Sequence, residues 1–247
     1  MRTGSVALRS TALALSALAI PGCTNLRGSA GGGLLNPGGS LIEVRGYSLG
    51  PDQSVPADAV GYAVPIFTSK DQAARFCPLF TSKLSFNGSL NGGTKMLVRS
   101  YGQTVRIAPF VWPVTGGASG QAGDCRTLVD RYNVSAARTF YSVAAAAIQA
   151  QGGGQVQALG TGPYIMLARR ISGTVIVFDL SRAPAGDYSE WLDRAIGQLG
   201  NPAVGGTGYV TTTLRDNVRF YVFGAVPTFS GILNILIPGY KAEHDKG

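Results

Sequence analysis

The chain has 247 residues and a formal net charge of +8 at pH 7, and 45% of its residues are hydrophobic. Its lysines and arginines are scattered and do not form runs interleaved with aromatic side chains, so a nucleic-acid-binding protein is not indicated. The single histidine, His244, lies three residues from the C-terminus, and no cysteine pair has metal-ligand spacing. We therefore expect neither a metal site nor a cofactor.

Residues 1–22 have the pattern of a secretory signal. Arg2 and Arg9 form a basic start, and residues 11–20 form a short apolar run. This run is about half the ~20 residues that cross a bilayer, so a permanent transmembrane helix is not predicted.

Gly22 and Cys23, which follow this run, resemble the lipobox of bacterial lipoproteins. The resemblance covers residues 1–23 only. It implies cleavage before Cys23 and a lipid on that cysteine. Thr24 stands where an aspartate would favour retention in the inner membrane, so the resemblance implies the periplasmic side of the outer membrane. The alternative is an ordinary signal cut elsewhere, with Cys23 a free thiol.

Two cysteines, Cys77 and Cys125, remain after Cys23 is assigned. In an oxidising compartment an even remainder predicts one disulfide, here closing a loop of 48 residues. The alternative is a pair of buried thiols.

The rest of the chain divides by composition. Residues 23–40 are rich in glycine and predict a flexible tether. Residues 41–240 are enough for one α+β domain or two small interleaved ones, and residues 241–247 form a polar tail. Without residues 1–22, nineteen basic and thirteen acidic residues remain, so the net charge is +6. Outside the cytoplasm such a surface favours anionic lipid headgroups, glycans or acidic protein patches as partners.

Hydrophobic periodicity predicts the elements in chain order. Alternation predicts strands at 41–47 and 60–68, followed by hairpins at 95–108, 164–178 and 209–223. Helical patterns lie at 70–79, 126–149 and 187–198.

Two of these regions share motifs at matching spacing. Met96 to Arg99 followed by Thr104-Val105 matches Met166 to Arg169 followed by Thr174-Val175. Downstream of each hairpin, a Gly-Asp pair precedes a predicted helix, with the aspartate at Asp124 in the first case and Asp187 in the second. A large apolar residue follows each aspartate after three residues, Leu128 in the first helix and Trp191 in the second. We interpret this as an internal repeat of about 94–150 and 162–200, in which both aspartates cap helices.

The element order predicts an α+β fold. The expected architecture is a mostly antiparallel sheet built from repeated hairpin-plus-helix units, with helices packed on one face. Residues 60–170 have the βαββαβ order of a ferredoxin-like unit.

No catalytic constellation is recognisable. His244 lies in a polar tail, and the chain has neither a nucleophile elbow nor a phosphate-binding loop. Asp179, at the end of an apolar strand, is the best single carboxylate for acid–base chemistry, although such a residue more often caps a turn with Ser181. We therefore expect a non-catalytic protein, with a carboxylate-dependent envelope hydrolase as the least favoured alternative.

Two functional hypotheses follow. The first is an accessory or assembly subunit of a cell-envelope apparatus, with a protein partner. The second is a binding module for an anionic envelope polymer such as peptidoglycan. Its candidate residues are the hairpin arginines Arg99, Arg106, Arg169, Arg170, Arg215 and Arg219. The apolar residues 228–240 predict a buried terminal element or, alternatively, a segment that docks on a partner or lies in the membrane interface.

Overall fold

The computed structural model describes residues 34–35, 41–100, 102–116, 124–152, 161–169, 175–199, 211–215, 218–223 and 231–239. The signal, Cys23, most of the tether and the polar tail lie outside these ranges, so the hypotheses about them stay predictions.

In the part of the chain that the structure describes, ten strands join in one mixed sheet. They are β1 (Leu34–Leu35), β2 (Leu41–Leu49), β3 (Gly61–Ile66), β4 (Phe86–Ser89), β5 (Leu97–Ser100), β6 (Gln103–Pro113), β7 (Tyr164–Arg169), β8 (Val175–Asp179), β9 (Thr211–Arg215) and β10 (Val218–Phe223). Their order is β1-β2-β6-β3-β7-β8-β10-β9, with β4 beside β2 and β5 beside β6. Six of these nine pairings are antiparallel, which confirms an α+β fold with a mostly antiparallel sheet. The three predicted hairpins are present as β5–β6, β7–β8 and β9–β10.

The helices are α1 (Lys70–Lys83), α2 (Cys125–Asp130), α3 (Val134–Gly152) and α4 (Tyr188–Leu199), with a 3₁₀ turn at Ala185–Asp187. The single helix expected at 126–149 is wrong, because the chain breaks between α2 and α3. There the Thr115 amide donates to the Arg131 carbonyl at 2.8 Å, and the Asn133 amide donates to Pro113 at 3.0 Å. The chain thus satisfies these backbone groups against the end of β6 instead of continuing the helix.

Strand β6 lies between β2 and β3 and is parallel to both. At Arg106, β6 pairs with Ile42 of β2 on one edge and with Leu97 of β5 on the other. Farther along, at Phe110, it pairs with Gly46 of β2 on the first edge and with Ala63 of β3 on the second. Strands β5 and β3 therefore flank the same edge of β6. A ferredoxin-like unit would place the hairpin partner on the opposite edge, which β2 occupies here, so that prediction is wrong in its pairing although the order of elements is similar.

Both faces of the central sheet are covered. Every residue of β3, β7 and β8 is buried, as expected for strands with apolar neighbours on each side. Phe178 contacts Trp191 of α4, with ring centroids 6.4 Å apart. Tyr164 is stacked on Tyr141 of α3, with centroids 5.9 Å apart, and alternation along the paired strands puts it on the opposite face from Phe178. The helices are therefore not gathered on one face.

The described residues 231–239 contribute four apolar side chains to the core. Ile232, Leu233, Leu236 and Ile237 are all buried. This confirms the prediction of a buried terminal element and argues against a free docking segment.

The two hairpins of the suspected repeat share one register. Val98 lies opposite Val105, and Ala168 lies opposite Val175. Their surroundings differ, since Leu97 is 53% exposed while its counterpart Leu167 is buried.

Candidate functional site

The six hairpin arginines do not form one surface. Arg169 and Arg219 are 5% and 6% exposed, because β7 and β10 lie inside the sheet. The Arg169 guanidinium donates to the carbonyl of Gln198, and burial lowers its pKa. Arg170 and the side chain of Arg215 lie outside the described part of the chain. A polymer-binding surface that includes Arg169 and Arg219 is therefore ruled out.

The other two arginines lie together on the β5–β6 hairpin. Leu97 is opposite Arg106, and Arg99 is opposite Thr104. Because paired residues and every second residue share a face of the sheet, Leu97, Arg99 and Arg106 point the same way. We call these three residues the hairpin face.

The hairpin face combines an exposed apolar side chain with cations. Among the described residues, Leu97 and Val143 are the exposed large hydrophobics, at 53% and 38%. Arg99 is exposed and Arg106 is half-buried, and Lys95 is exposed just before the strand. An apolar residue between cations suits a surface with apolar and negatively charged parts.

A shallow cleft of about 260 Å³ adjoins this face. It is lined by Ala57, Asp58, Ala59, Val60, Met96, Leu97 and Arg106. The Asp58 carboxylate accepts a hydrogen bond from the Met96 amide at 3.3 Å, which ties the 51–60 loop to the hairpin. The floor is apolar, since Met96 and Ala59 are buried, and Asp58 is the acidic residue of the lining.

The hairpin face lies at the end of the sheet where the described chain begins. Leu34 of β1 pairs with Ile42, Ile42 pairs with Arg106, and Arg106 pairs with Leu97. Four strands thus form one row from the first described residues to the hairpin face. At about 4.8 Å between neighbouring strands, Leu34 and Leu97 lie roughly 15 Å apart across the sheet.

Asp179 caps a turn, as the preferred interpretation predicted. Its carboxylate accepts hydrogen bonds from the Ser181 amide at 3.0 Å and from the Ser181 hydroxyl. The Ser181 hydroxyl also accepts from the Gly162 amide at 2.8 Å. The neighbouring Tyr164 has its pKa raised, by burial first and by the nearby Asp179 second. The hydrogen bonds of Asp179 and Ser181 join the ends of β7 and β8.

The remaining cysteines come together between two helices. Cys77 is buried in α1, and Cys125 is the first residue of α2. Their Cα atoms are 5.5 Å apart, within the range of a disulfide. The pairing is consistent with the predicted disulfide and not with two separate thiols.

Sequence reasoning did not single out Leu97 or Asp58. The signal for Leu97 was present in the alternation of Lys95, Leu97 and Arg99, which puts an apolar residue on the same strand face as two cations. The position of Asp58 had no such signal, because it lies in a loop that reaches the hairpin only through tertiary pairing.

Within the described ranges, no group of three or more histidine, cysteine, aspartate or glutamate residues could hold a metal ion. None of the helices in these ranges has both the length and the hydropathy of a transmembrane span.

Comparison with known proteins gives no relative. No protein-family model matches the chain, and no curated protein or solved structure matches it.

Proposed function

We propose that this chain is a non-catalytic lipoprotein, anchored through Cys23 to the periplasmic side of the outer membrane, that serves as an accessory or assembly subunit of a cell-envelope apparatus. The lipobox-like start and the glycine-rich residues 24–33 support the anchor and the tether. The tether is shorter than the predicted 23–40, because Leu34 and Leu35 pair with β2. The protein partner would be another component of the same apparatus.

The observation that carries the proposal is the approach of Cys77 to Cys125. A cross-link between two helices is stable in an oxidising compartment and would be reduced in most cytosols. The pairing therefore supports export independently of the first 23 residues.

The hydrogen bonds of Asp179 support the proposal that the protein is not an enzyme. Its carboxylate is bound to Ser181 and lies opposite Arg219 in the strand register, so it has a structural role at the end of β8.

We further propose that the β5–β6 and β7–β8 hairpins, each with the helices that follow it, are repeats of one unit. Their shared register supports a common origin. Of the two predicted caps, Asp124 accepts hydrogen bonds from the Arg126 and Thr127 amides at the N-terminus of α2. Its counterpart Asp187 is the last residue of the 3₁₀ turn before α4.

The anchor is tested by mass spectrometry of the N-terminal peptide of protein purified from membranes. We expect the mature chain to begin at a lipid-modified Cys23, and Cys23→Ala to abolish both the modification and the membrane association of the mature form. An unmodified Cys23 in a chain cut elsewhere would reject the proposal.

The accessory role is tested by co-purification in mild detergent. A stable envelope partner that is retained through two purification steps is expected. Recovery as a lone monomer, with the lipid present, would reject the assembly role but keep the anchor.

A second candidate function is recognition of an anionic envelope polymer, favoured by the two arginines that share the hairpin face. Pull-down on purified peptidoglycan across a salt series tests it. Binding that weakens with salt and is lost in R99E/R106E supports this function, whereas absence of binding at low salt ends it.

A further inference from the structure

We propose that the hairpin face lies against the anionic phospholipid headgroups of the membrane that holds the anchor. This inference rests on the proposed lipid on Cys23. It adds an orientation, in which the domain presents the β5–β6 end of its sheet to the bilayer surface.

The first argument is position. The row Leu34, Ile42, Arg106 and Leu97 puts the hairpin face at the same end of the sheet as the first described residues. The chain that leads back to Cys23 starts from that row, so the anchor constrains this end of the domain more tightly than any other.

The second argument is length. Ten residues, 24–33, separate Cys23 from Leu34. At no more than about 3.5 Å per residue, ten residues reach at most roughly 40 Å. The end of the sheet that carries Leu34 therefore stays within that distance of the lipid-modified cysteine.

The third argument is chemistry. Leu97, the more exposed of the two large hydrophobics in the described ranges, lies on one face with Arg99 and Arg106, and Lys95 is nearby. Cations are attracted to an anionic leaflet, and an apolar side chain can enter the interface between headgroups and acyl chains. Asp58 is the acidic residue of the adjoining cleft, so the cations outnumber the acids here.

Peptidoglycan is the competing occupant for the same arginines. It offers anionic groups but no acyl layer, so it does not use an exposed leucine, and it does not account for the position beside the anchor.

The test uses the full lipidated protein reconstituted into vesicles, with tryptophan as a depth probe. L97W places the probe in the hairpin face, and V143W is the matched control at the other exposed large hydrophobic, on α3. The two native tryptophans, Trp112 and Trp191, are buried and give the same background in both variants. Vesicles contain either phosphatidylglycerol or phosphatidylcholine alone, each doped with lipids brominated on the acyl chains.

We expect the fluorescence of L97W to be quenched at least about twofold more than that of V143W in phosphatidylglycerol vesicles. The difference should shrink in phosphatidylcholine, which has no net charge, and at 0.5 M NaCl, which screens the attraction between the cations and the headgroups. R99E/R106E in the L97W background should lower the quenching to the V143W level. R126E/R182E, which reverses two exposed arginines elsewhere, should not.

Flotation of the wild-type protein with the vesicles is measured first and separates the two proposals. A protein that does not float lacks the anchor, which rejects the proposed function and this inference with it. A protein that floats while L97W stays as bright as V143W rejects this inference alone. Equal quenching of L97W in phosphatidylglycerol and phosphatidylcholine also overturns it, because headgroup charge then has no part. Binding of peptidoglycan through Arg99 and Arg106, with L97W unquenched, assigns the face to the polymer.

Discussion

Tyr132 and Phe67 are joined by both ring and backbone: their ring centroids are 5.1 Å apart, and the Tyr132 hydroxyl accepts a hydrogen bond from the Phe67 amide at 2.9 Å. The same hydroxyl donates to the Pro65 carbonyl at 3.0 Å. Tyr132 lies just before α3, whereas Pro65 and Phe67 lie at the end of β3. One buried hydroxyl therefore forms hydrogen bonds with two backbone groups where the sheet meets the helices.

Removing that hydroxyl should destabilise the domain. Tyr132→Phe leaves a buried amide and a buried carbonyl without their partner, which costs about 1–3 kcal/mol. Urea unfolding followed by circular dichroism measures the change. Tyr188→Phe is the control, because this ring also contacts a core phenylalanine, Phe76, while the residue is only half-buried. A loss in Y188F as large as that in Y132F would contradict the assignment to the hydroxyl.

The domain should lose stability at alkaline pH. Burial raises the pKa of Tyr132 above its ordinary value of 10.0, and burial together with the nearby Asp179 raises that of Tyr164. A raised folded-state pKa contributes stability that is present below pH 10 and is lost as the pH rises above 10, because the unfolded chain then releases protons that the folded chain keeps. The expected slope is about 1.4 kcal/mol per pH unit for each tyrosine that stays neutral.

Urea unfolding from pH 8 to pH 11 measures this dependence, and Y132F should reduce its slope. A free energy of unfolding that stays constant to pH 11 would contradict the neutral buried tyrosines.

The cysteine pair should contribute to stability as a closed loop. Linking residues 48 apart in sequence stabilises by about 2–4 kcal/mol, mainly by restricting the unfolded chain. We expect C77A/C125A to lose this amount, and the single variants to lose at least as much. Alkylation of the denatured protein without reductant should label neither Cys77 nor Cys125, and labelling of both would show that the thiols are free.

Asp179 should behave as a structural residue. Asp179→Ala removes the acceptor of the Ser181 amide at a site that is 3% exposed, so we expect a loss of about 2 kcal/mol or more. Asp130→Ala is the control, since that carboxylate is exposed and should change stability by no more than about 0.5 kcal/mol. An unchanged stability in D179A would reopen a chemical role for this carboxylate.

The helices and strands themselves were largely predictable from the sequence, but the pairing of the strands in the sheet was not. Alternation located the three hairpins, and the helical pattern after Ser69 located α1, whose N-terminus that serine caps. Strand β4 was missed because Phe-Asn-Gly-Ser has no apolar alternation, and it forms only because β2 offers it an edge. The insertion of β6 between β2 and β3 was not predictable either, because nothing in its own pattern states which strands it joins.

The same limit applies to the candidate site. Alternation indicated which arginines share a strand face, but not whether that face is covered. Arg99 and Arg169 occupy equivalent positions in the two hairpins, yet Arg99 is exposed and Arg169 lies beneath α4, where it donates to Gln198. Burial depends on tertiary packing, so the two could be separated only by the structure.

The position of β6 has a consequence for how the domain forms. Strand β3 has β6 and β7 as its neighbours, and both follow it in the chain, β7 by about a hundred residues. When the chain leaves a ribosome or a translocation channel N-terminus first, β3 therefore has no pairing strand until β6 and β7 emerge. Such distant pairings make assembly slow, and unpaired strand edges are prone to aggregate. The interval before β6 emerges is when protection of the β3 edge by a holding chaperone would matter most.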